Sequence, residues 1–94
     1  MPAQAGILFF GGHMGAIEYI REREVSRLRA RSRSSNYADI KAGLLTTPVR
    51  VGGRSVAWPR HEINALNAAR LSGKSDEEVR QIVDALHIAR LEAA

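Results

Sequence analysis

The sequence predicts a mainly helical fold with one small β-hairpin. One stretch with apolar residues at helical spacing and one short stretch bounded by helix-capping residues come before a valine-rich run, residues 49–58 (VRVGGRSVAW), and two further helical stretches come after it. Glycine inside this run allows the tight turn that two strands need in order to pair with each other. With 94 residues and 45% hydrophobic content, the chain can form one small domain with a modest core.

The first helix is predicted over residues 17–30. Its apolar positions approximate a 3.6-residue repeat, and most of its arginines lie off that face. The apolar face contains Ile17, Ile20, Val25 and Leu28. We therefore expect this helix to bury one side and to leave its arginines in solvent.

The second helix is predicted to be short, from about residue 34 to residue 42. Ser32 or Ser34 can accept a backbone N–H at its start, and Gly43 is a natural stop at its end. Because a tight turn joins it to the first helix, the pair has the spacing of a helix-turn-helix. Residues 44–48 are predicted to be a loop.

The register of the hairpin can be argued from its apolar residues. With the turn at residues 53–54 rather than 52–53, two apolar pairs fall on one face. The predicted pairs are Val51 with Val56 and Val49 with Trp58. Glycine at the first turn position suits a type II′ turn, which places Arg54 at the tip.

Two further helices are predicted after the hairpin. Pro59 is expected to open the third helix, because proline is favoured at the first helical position, and residues 72–74 end it. Residues 75–78 (SDEE) form a capping box, and the last helix runs from residue 76 to near the end. The expected core residues are Ile63, Leu66 and Leu71 in the third helix and Val79, Ile82, Val83 and Leu86 in the last.

The charge of the chain is uneven. The formal net charge is +4 and the sequence pI is about 10.3. Residues 21–60 hold ten Arg or Lys against three acids, whereas residues 61–94 hold four against six. A basic half in a small domain is typical of proteins that bind nucleic acid or another acidic surface.

No residue pattern supports catalysis or a cofactor. The absence of cysteine excludes disulfides, thiolate zinc sites and thiol nucleophiles. His61 and Glu62 begin like a zinc-protease motif, but Ala65 stands where the second histidine should be. Residues 73–75 (GKS) end like a phosphate loop but lack its first glycine and its leading strand. We expect neither an enzyme nor a bound metal or cofactor.

Helix, turn, helix and an arginine-tipped hairpin follow one another in the order of a winged helix-turn-helix. In that fold the second helix enters the major groove of DNA, and its start offers free N–H groups to a phosphate. The hairpin reaches the flanking backbone or the minor groove. The candidate DNA contacts are Arg31, Arg33, Ser34, Ser35, Asn36, Tyr37, Lys41, Arg50, Arg54 and Ser55.

Two alternatives stay open at this point. The arginine-rich half can equally be a solvated surface without a ligand, and Tyr37 can either pack in the core or send its hydroxyl to a phosphate. A function of another class is a protein-interaction module, an inhibitor or adaptor that uses the acidic last helix.

Several segments together resemble the AlpA family of prophage regulators. The segments are residues 24–28 (EVSRL), 32–37 (SRSSNY), 40–43 (IKAG), 48–58 (PVRVGGRSVAW) and 62–63 (EI). The resemblance spans about residues 20–70 and implies an excisionase-like winged helix-turn-helix of the MerR type. It implies binding of double-stranded DNA, either to regulate transcription or, as an excision factor, to bend DNA beside an attachment site.

The resemblance also has consequences for particular residues and partners. It implies that Arg33, Ser34, Ser35 and Tyr37 lie on the recognition helix and that Arg54 makes the wing contact. The sequence departs from the family at Asn36 and Asp39, where apolar residues are usual, and this would place a carboxylate near DNA. An integrase or RNA polymerase is the protein partner implied, and cooperative assembly of copies on DNA is compatible with it.

We expect three segments along the chain. Residues 1–15 are expected to be a flexible or tag-derived arm, and residues 16–72 the winged helix-turn-helix domain. Residues 73–94 are expected to form a C-terminal helix that packs on the domain or on a partner. No apolar run approaches the roughly 20 residues of a membrane helix, so we expect no membrane association and a cytoplasmic location at the nucleoid.

Overall fold

The computed structural model describes residues 16–93, and the arm predicted at residues 1–15 lies outside them. Four helices and three short antiparallel strands confirm the predicted mainly helical fold with a hairpin. In chain order they are β1 (Tyr19–Ile20), α1 (Glu22–Arg29), α2 (Arg33–Ala42), β2 (Val49–Gly52), β3 (Ser55–Pro59), α3 (Arg60–Leu71) and α4 (Asp76–Glu92). None of the helices in this part of the chain combines the length and apolar character needed to cross a membrane.

The described chain begins with a strand rather than with the predicted helix. β1 pairs with β3, so that Ile20 lies opposite Trp58 and the strand order is β1–β3–β2. The helix predicted from residue 17 is therefore wrong over its first turn, and Ile17 is 45% exposed. A two-residue strand is too short to show the alternation that would distinguish it from a helix in the sequence.

The turn between α1 and α2 is built from the predicted capping residues. The Ser32 side chain accepts the backbone N–H of Ser35 at the start of α2, and Gly43 ends the helix in a left-handed conformation with φ 79°. Ala30, which ends α1, is also left-handed, with φ 56° and ψ 40°. A non-glycine residue in this conformation carries steric strain between its Cβ and the backbone.

The structure confirms the turn of the hairpin but not its register. Gly52 pairs with Ser55, so residues 53–54 form the turn, and Gly53 has the positive φ that a type II′ turn requires. A β-bulge at Val51 inserts one unpaired residue into β2. Both predicted apolar pairs are therefore wrong, and the observed pairs are Val49 with Ala57 and Arg50 with Val56.

The hydrophobic core lies between the sheet and the helices. Trp58 is fully buried and donates its indole N–H to the Thr46 carbonyl at 2.8 Å. The residues buried with it are Ile20, Val25, Leu45, Ile63, Leu66, Ala69, Val79, Val83 and Leu86. Leu71, which was expected in this core, is 91% exposed because it lies about 140° round the helix from Leu66.

An ion pair joins α4 to α3 and to the loop before the hairpin. Arg90 donates to both carboxylate oxygens of the fully buried Glu62, at 2.8 and 2.7 Å. The same guanidinium donates to the Thr47 carbonyl at 2.6 Å, and the Thr47 N–H donates to His87 Nε2 at 3.1 Å. These contacts fix the loop from which β2 begins.

Candidate nucleic-acid interface

The exposed face of α2 combines charged, polar and small side chains. Ser34, Ala38 and Lys41 are exposed and follow one another at spacings of four and three residues, which places them on one face. The Arg33 side chain beside them is 72% exposed. Ala38 was not among the predicted contacts, although helical spacing from Ser34 would have found it. Its methyl group suits contact with the methyl group of thymine.

The start of α2 presents three serines and no acid. Ser32 Oγ lies 2.9 Å from Ser35 Oγ and 3.3 Å from Ser34 Oγ, so the three hydroxyls form a hydrogen-bonded group. The first turn of α2 contains no acidic residue that would offset the positive end of the helix dipole. The structure therefore keeps Ser34 and Ser35 at a helix end that favours an anion.

Asn36 was predicted to contact DNA, and the structure removes it from that set. The residue is 0% exposed, and its amide nitrogen donates to Ser26 Oγ at 2.9 Å and to Glu22 Oε2 at 3.3 Å. Its amide oxygen accepts from Arg29. Because every polar atom of the side chain is used between α1 and α2, Asn36 has no group left to read a base.

Asp39 was expected to bring a carboxylate near DNA, and the structure shows that this carboxylate is already paired with arginines inside the domain. Asp39 is 7% exposed and accepts hydrogen bonds from Arg31 at 3.0 and 3.2 Å. Arg29 Nη2 lies 3.1 Å from Asp39 Oδ2, one of the two oxygens that accept from Arg31. Burial lowers the pKa of the Arg29 guanidinium, and the Asp39 carboxylate acts in the opposite direction. We refer to Glu22, Ser26, Arg29, Asn36 and Asp39 as the interhelical polar cluster.

The candidate arginines differ in whether a carboxylate already neutralises them. Arg31 is 46% exposed but its charge is paired with Asp39. By contrast, Arg50 and Arg54 of the hairpin are exposed and have no carboxylate within 4.0 Å in the described part of the chain. The other cations of residues 16–93 that are unpaired by this criterion are Arg21, Arg23, Lys41 and Lys74.

Tyr37 links the surface of α2 to the core. Its ring meets Trp58 edge-on, with the centroids 6.3 Å apart and the planes at 70°. The Arg33 guanidinium lies over the same ring, 5.4 Å from the centroid. Of the two roles left open for Tyr37, packing of the ring on the core is the one seen. Ser55 is half-buried beside the hairpin turn.

The chain has two helices joined by a tight turn, then an arginine-tipped hairpin whose strand β3 runs directly into α3. This arrangement defines a winged helix-turn-helix protein. The family described as "Prophage CP4-57 regulatory protein (AlpA)" matches residues 18–71, which is more than half of the chain. The chain therefore belongs to the AlpA family of prophage regulatory proteins. The matched residues run from just before β1 to the end of α3, and α4 follows them.

One curated relative shares part of this sequence. The chain is 38% identical over 56 residues to the "Uncharacterized protein ORF88" of Enterobacteria phage P4. The match covers 60% of this chain and 64% of that protein, so the chain spans less than two thirds of the relative's length. No solved structure gives a significant match.

Proposed function

We propose that this protein binds double-stranded DNA at a specific sequence and acts as a regulator of an integrated element. One observation carries the proposal: unpaired or exposed cations occupy the outer face of α2 and the tip of the hairpin, the two elements with which a winged helix-turn-helix meets DNA. Membership of the AlpA family supports the same partner.

In this proposal α2 enters the major groove with its first turn leading. We propose that Arg33 donates two hydrogen bonds to a guanine and that Ala38 touches a thymine methyl. Ser34 and the N–H groups at the helix start bind a phosphate, and Lys41 a second phosphate further along the groove. Arg31, already paired with Asp39, contributes only a backbone contact.

The hairpin supplies the second contact. Arg54 at the tip and Arg50 on β2 are exposed, and β3 is anchored to the core through the buried Trp58. The bulge at Val51 increases the local twist of the strand pair and thereby sets the direction of the tip. We propose that Arg54 lies beside the flanking minor groove and adds affinity more than sequence preference.

The test is a selection from a random duplex pool at roughly physiological salt, followed by sequencing. We expect a short enriched motif, since specific binding outlasts the phosphate contribution at this salt concentration. Enrichment of no motif, together with binding that vanishes as salt rises, would refute sequence-specific binding.

Two alanine variants assign the contacts once the motif is known. Arg33→Ala should cost about 1–3 kcal/mol and relax the preference at one position. Arg54→Ala should weaken binding to all sequences alike. Lys74→Ala is the matched control, because it removes one unpaired cation from the turn between α3 and α4. Unchanged affinity of both arginine variants would contradict the assignment of α2 and the hairpin.

The finer function is either regulation of transcription or direction of excision. Both place the protein at the nucleoid in the cytoplasm, with RNA polymerase as the further partner in the first case and an integrase in the second. The selected motif should lie beside promoters for a regulator and beside attachment sites for an excision factor. A gel assay with the site at permuted positions measures the bending that an excision factor requires.

A protein-interaction module is the second candidate, and the exposed apolar side chains of α4 favour it. Ile88 is 58% and Leu91 is 80% exposed on the last turns of this helix. Deleting α4 is not a usable test, because Val79, Val83 and Leu86 belong to the core. Replacing Ile88 by glutamate should abolish a protein complex and spare DNA binding if this candidate is correct.

A further inference from the structure

Arg33, the exposed arginine at the start of α2, is held on two sides. Its guanidinium lies 5.4 Å over the centre of the Tyr37 ring. On another side its Nη1 faces Glu22 Oε1 at 3.7 Å. The side chain is 72% exposed, so the remaining donors point to solvent. Arg33 is therefore oriented by α1 and by its own helix, and it still has donors free for a ligand.

Glu22 is itself held in place by other members of the interhelical polar cluster. Its side chain is only 16% exposed. Oε2 accepts hydrogen bonds from Ser26 Oγ and from Asn36 Nδ2, and Asn36 in turn accepts from Arg29. Only Oε1 is left for Arg33. A chain of polar contacts thus runs from the buried Arg29 through Asn36 and Glu22 to the surface.

We propose that Glu22 is a positioning residue. It orients Arg33 toward a base edge and disfavours non-specific phosphate contacts by the same arginine. The proposal deepens the function proposed above and rests on it. Glu22 and Tyr37 fix the direction of the guanidinium, which lowers the conformational entropy lost when it donates to a base. The same carboxylate repels a phosphate that approaches Arg33.

The selectivity follows from charge. A phosphate carries a full negative charge, whereas the N7 and O6 acceptors of guanine are neutral groups. Repulsion by the Glu22 carboxylate therefore weakens phosphate binding more than it weakens base recognition. A phosphate on the free side of the guanidinium lies roughly 7 Å from the Glu22 carboxylate, and for two unit charges at that separation in water the factor in affinity is about threefold. By that factor Glu22 raises the ratio of specific to non-specific affinity at Arg33.

Glu22→Gln is the variant that isolates this effect. The glutamine oxygen can take the place of Oε2 and accept from Ser26 and Asn36, while the amide N–H₂ that then faces Arg33 is a donor, so the variant removes both the negative charge and the acceptor. Glu24→Gln is the matched control, since Glu24 is one more α1 carboxylate paired with an arginine, Arg27, at 2.6 Å. The two variants make the same change in net charge.

The measurement is the affinity of the full chain for its selected duplex and for an unrelated duplex, over a series of salt concentrations. For Glu22→Gln we expect affinity for the unrelated duplex to rise about threefold, with a salt dependence steeper by about one phosphate contact. Affinity for the selected duplex should change less, so the ratio of the two should fall. For Glu24→Gln the ratio should stay as in the parent.

A combination with Arg33→Gln provides the second readout. In that background Glu22→Gln should no longer change the ratio, because the charge that Glu22 controls is gone. Equal ratios for Glu22→Gln and Glu24→Gln, or a parallel loss of both affinities with a lower melting temperature, would overturn the role of Glu22. A parent chain without any preferred duplex would instead overturn the proposed function, so the two failures are distinguishable.

Discussion

Replacing Arg90 by methionine would leave the carboxylate of Glu62 buried without a counter-charge. In the parent both carboxylate oxygens accept from Arg90, and the Glu62 side chain is 1% exposed. Methionine keeps much of the aliphatic stem of Arg90 but none of its donors. The Thr47 carbonyl loses a donor as well.

The magnitude follows from the burial of the two partners. Breaking a buried ion pair by removing one partner costs about 3–5 kcal/mol. We expect the lower end, about 3 kcal/mol, because the Arg90 side chain is 24% exposed and water can reach the vacated position. For a domain of this size, that loss lowers the melting temperature by roughly 12–24 °C.

Urea and thermal unfolding, followed by circular dichroism, measure this loss. The double variant Glu62→Met/Arg90→Met should recover most of it, because replacing both charges by apolar groups leaves no unpaired carboxylate. A loss below about 1 kcal/mol for Arg90→Met would refute the reasoning, because that is what a solvent-exposed ion pair contributes to the free energy of unfolding. A double variant no more stable than the single one would refute it too.

Three further predictions concern local features. Ala30→Gly should stabilise the fold by about 0.5–1 kcal/mol in urea unfolding, because glycine relieves the strain of φ 56° at some cost in chain entropy. Asp39→Asn should cost about 3 kcal/mol in the same assay, since Arg29 is left buried without a carboxylate. The hydrogen bond from the Ser75 N–H holds the pKa of Glu78 below its usual range. The ionised Glu78 carboxylate therefore stabilises the folded state fully above its unfolded-state pKa, and this stabilisation is lost as the pH falls through its folded-state pKa. An NMR titration of the Glu78 carboxyl group measures that pKa, and Glu78→Gln should flatten the acid limb of stability against pH.

Local rules made much of this fold predictable. The cap at Gly43, the capping box at residues 75–78 and the turn at residues 53–54 each depend on a few adjacent residues and were predicted, and Ser32 was one of the two residues predicted for the cap at the start of α2. The mainly helical class follows from the spacing of apolar residues in three of the helices, and the short second helix of the helix-turn-helix follows from its caps. Once that helix is assigned, helical spacing from Ser34 identifies Ala38 and Lys41 as its outer face.

The features that could not be predicted depend on partners distant in sequence. β1 exists because Ile20 meets Trp58, and two residues carry no pattern of their own. The bulge at Val51 is set by pairing with β3 and shifts the register by one. The sequence predicts Asn36 as a base contact. Its amide is instead bound by α1, which packs against α2 through residues distant in sequence.

The position of Trp58 gives the protein an optical reporter of its own. It is the single tryptophan of the chain and is fully shielded from water, so its fluorescence should be blue-shifted in the folded state. The Tyr37 ring contacts both this indole and the Arg33 guanidinium. A ligand that draws Arg33 away from the ring changes the surroundings of the fluorophore through one intervening side chain. Titrations with unlabelled DNA can therefore be followed from the native emission, without attaching a dye to either α2 or the hairpin.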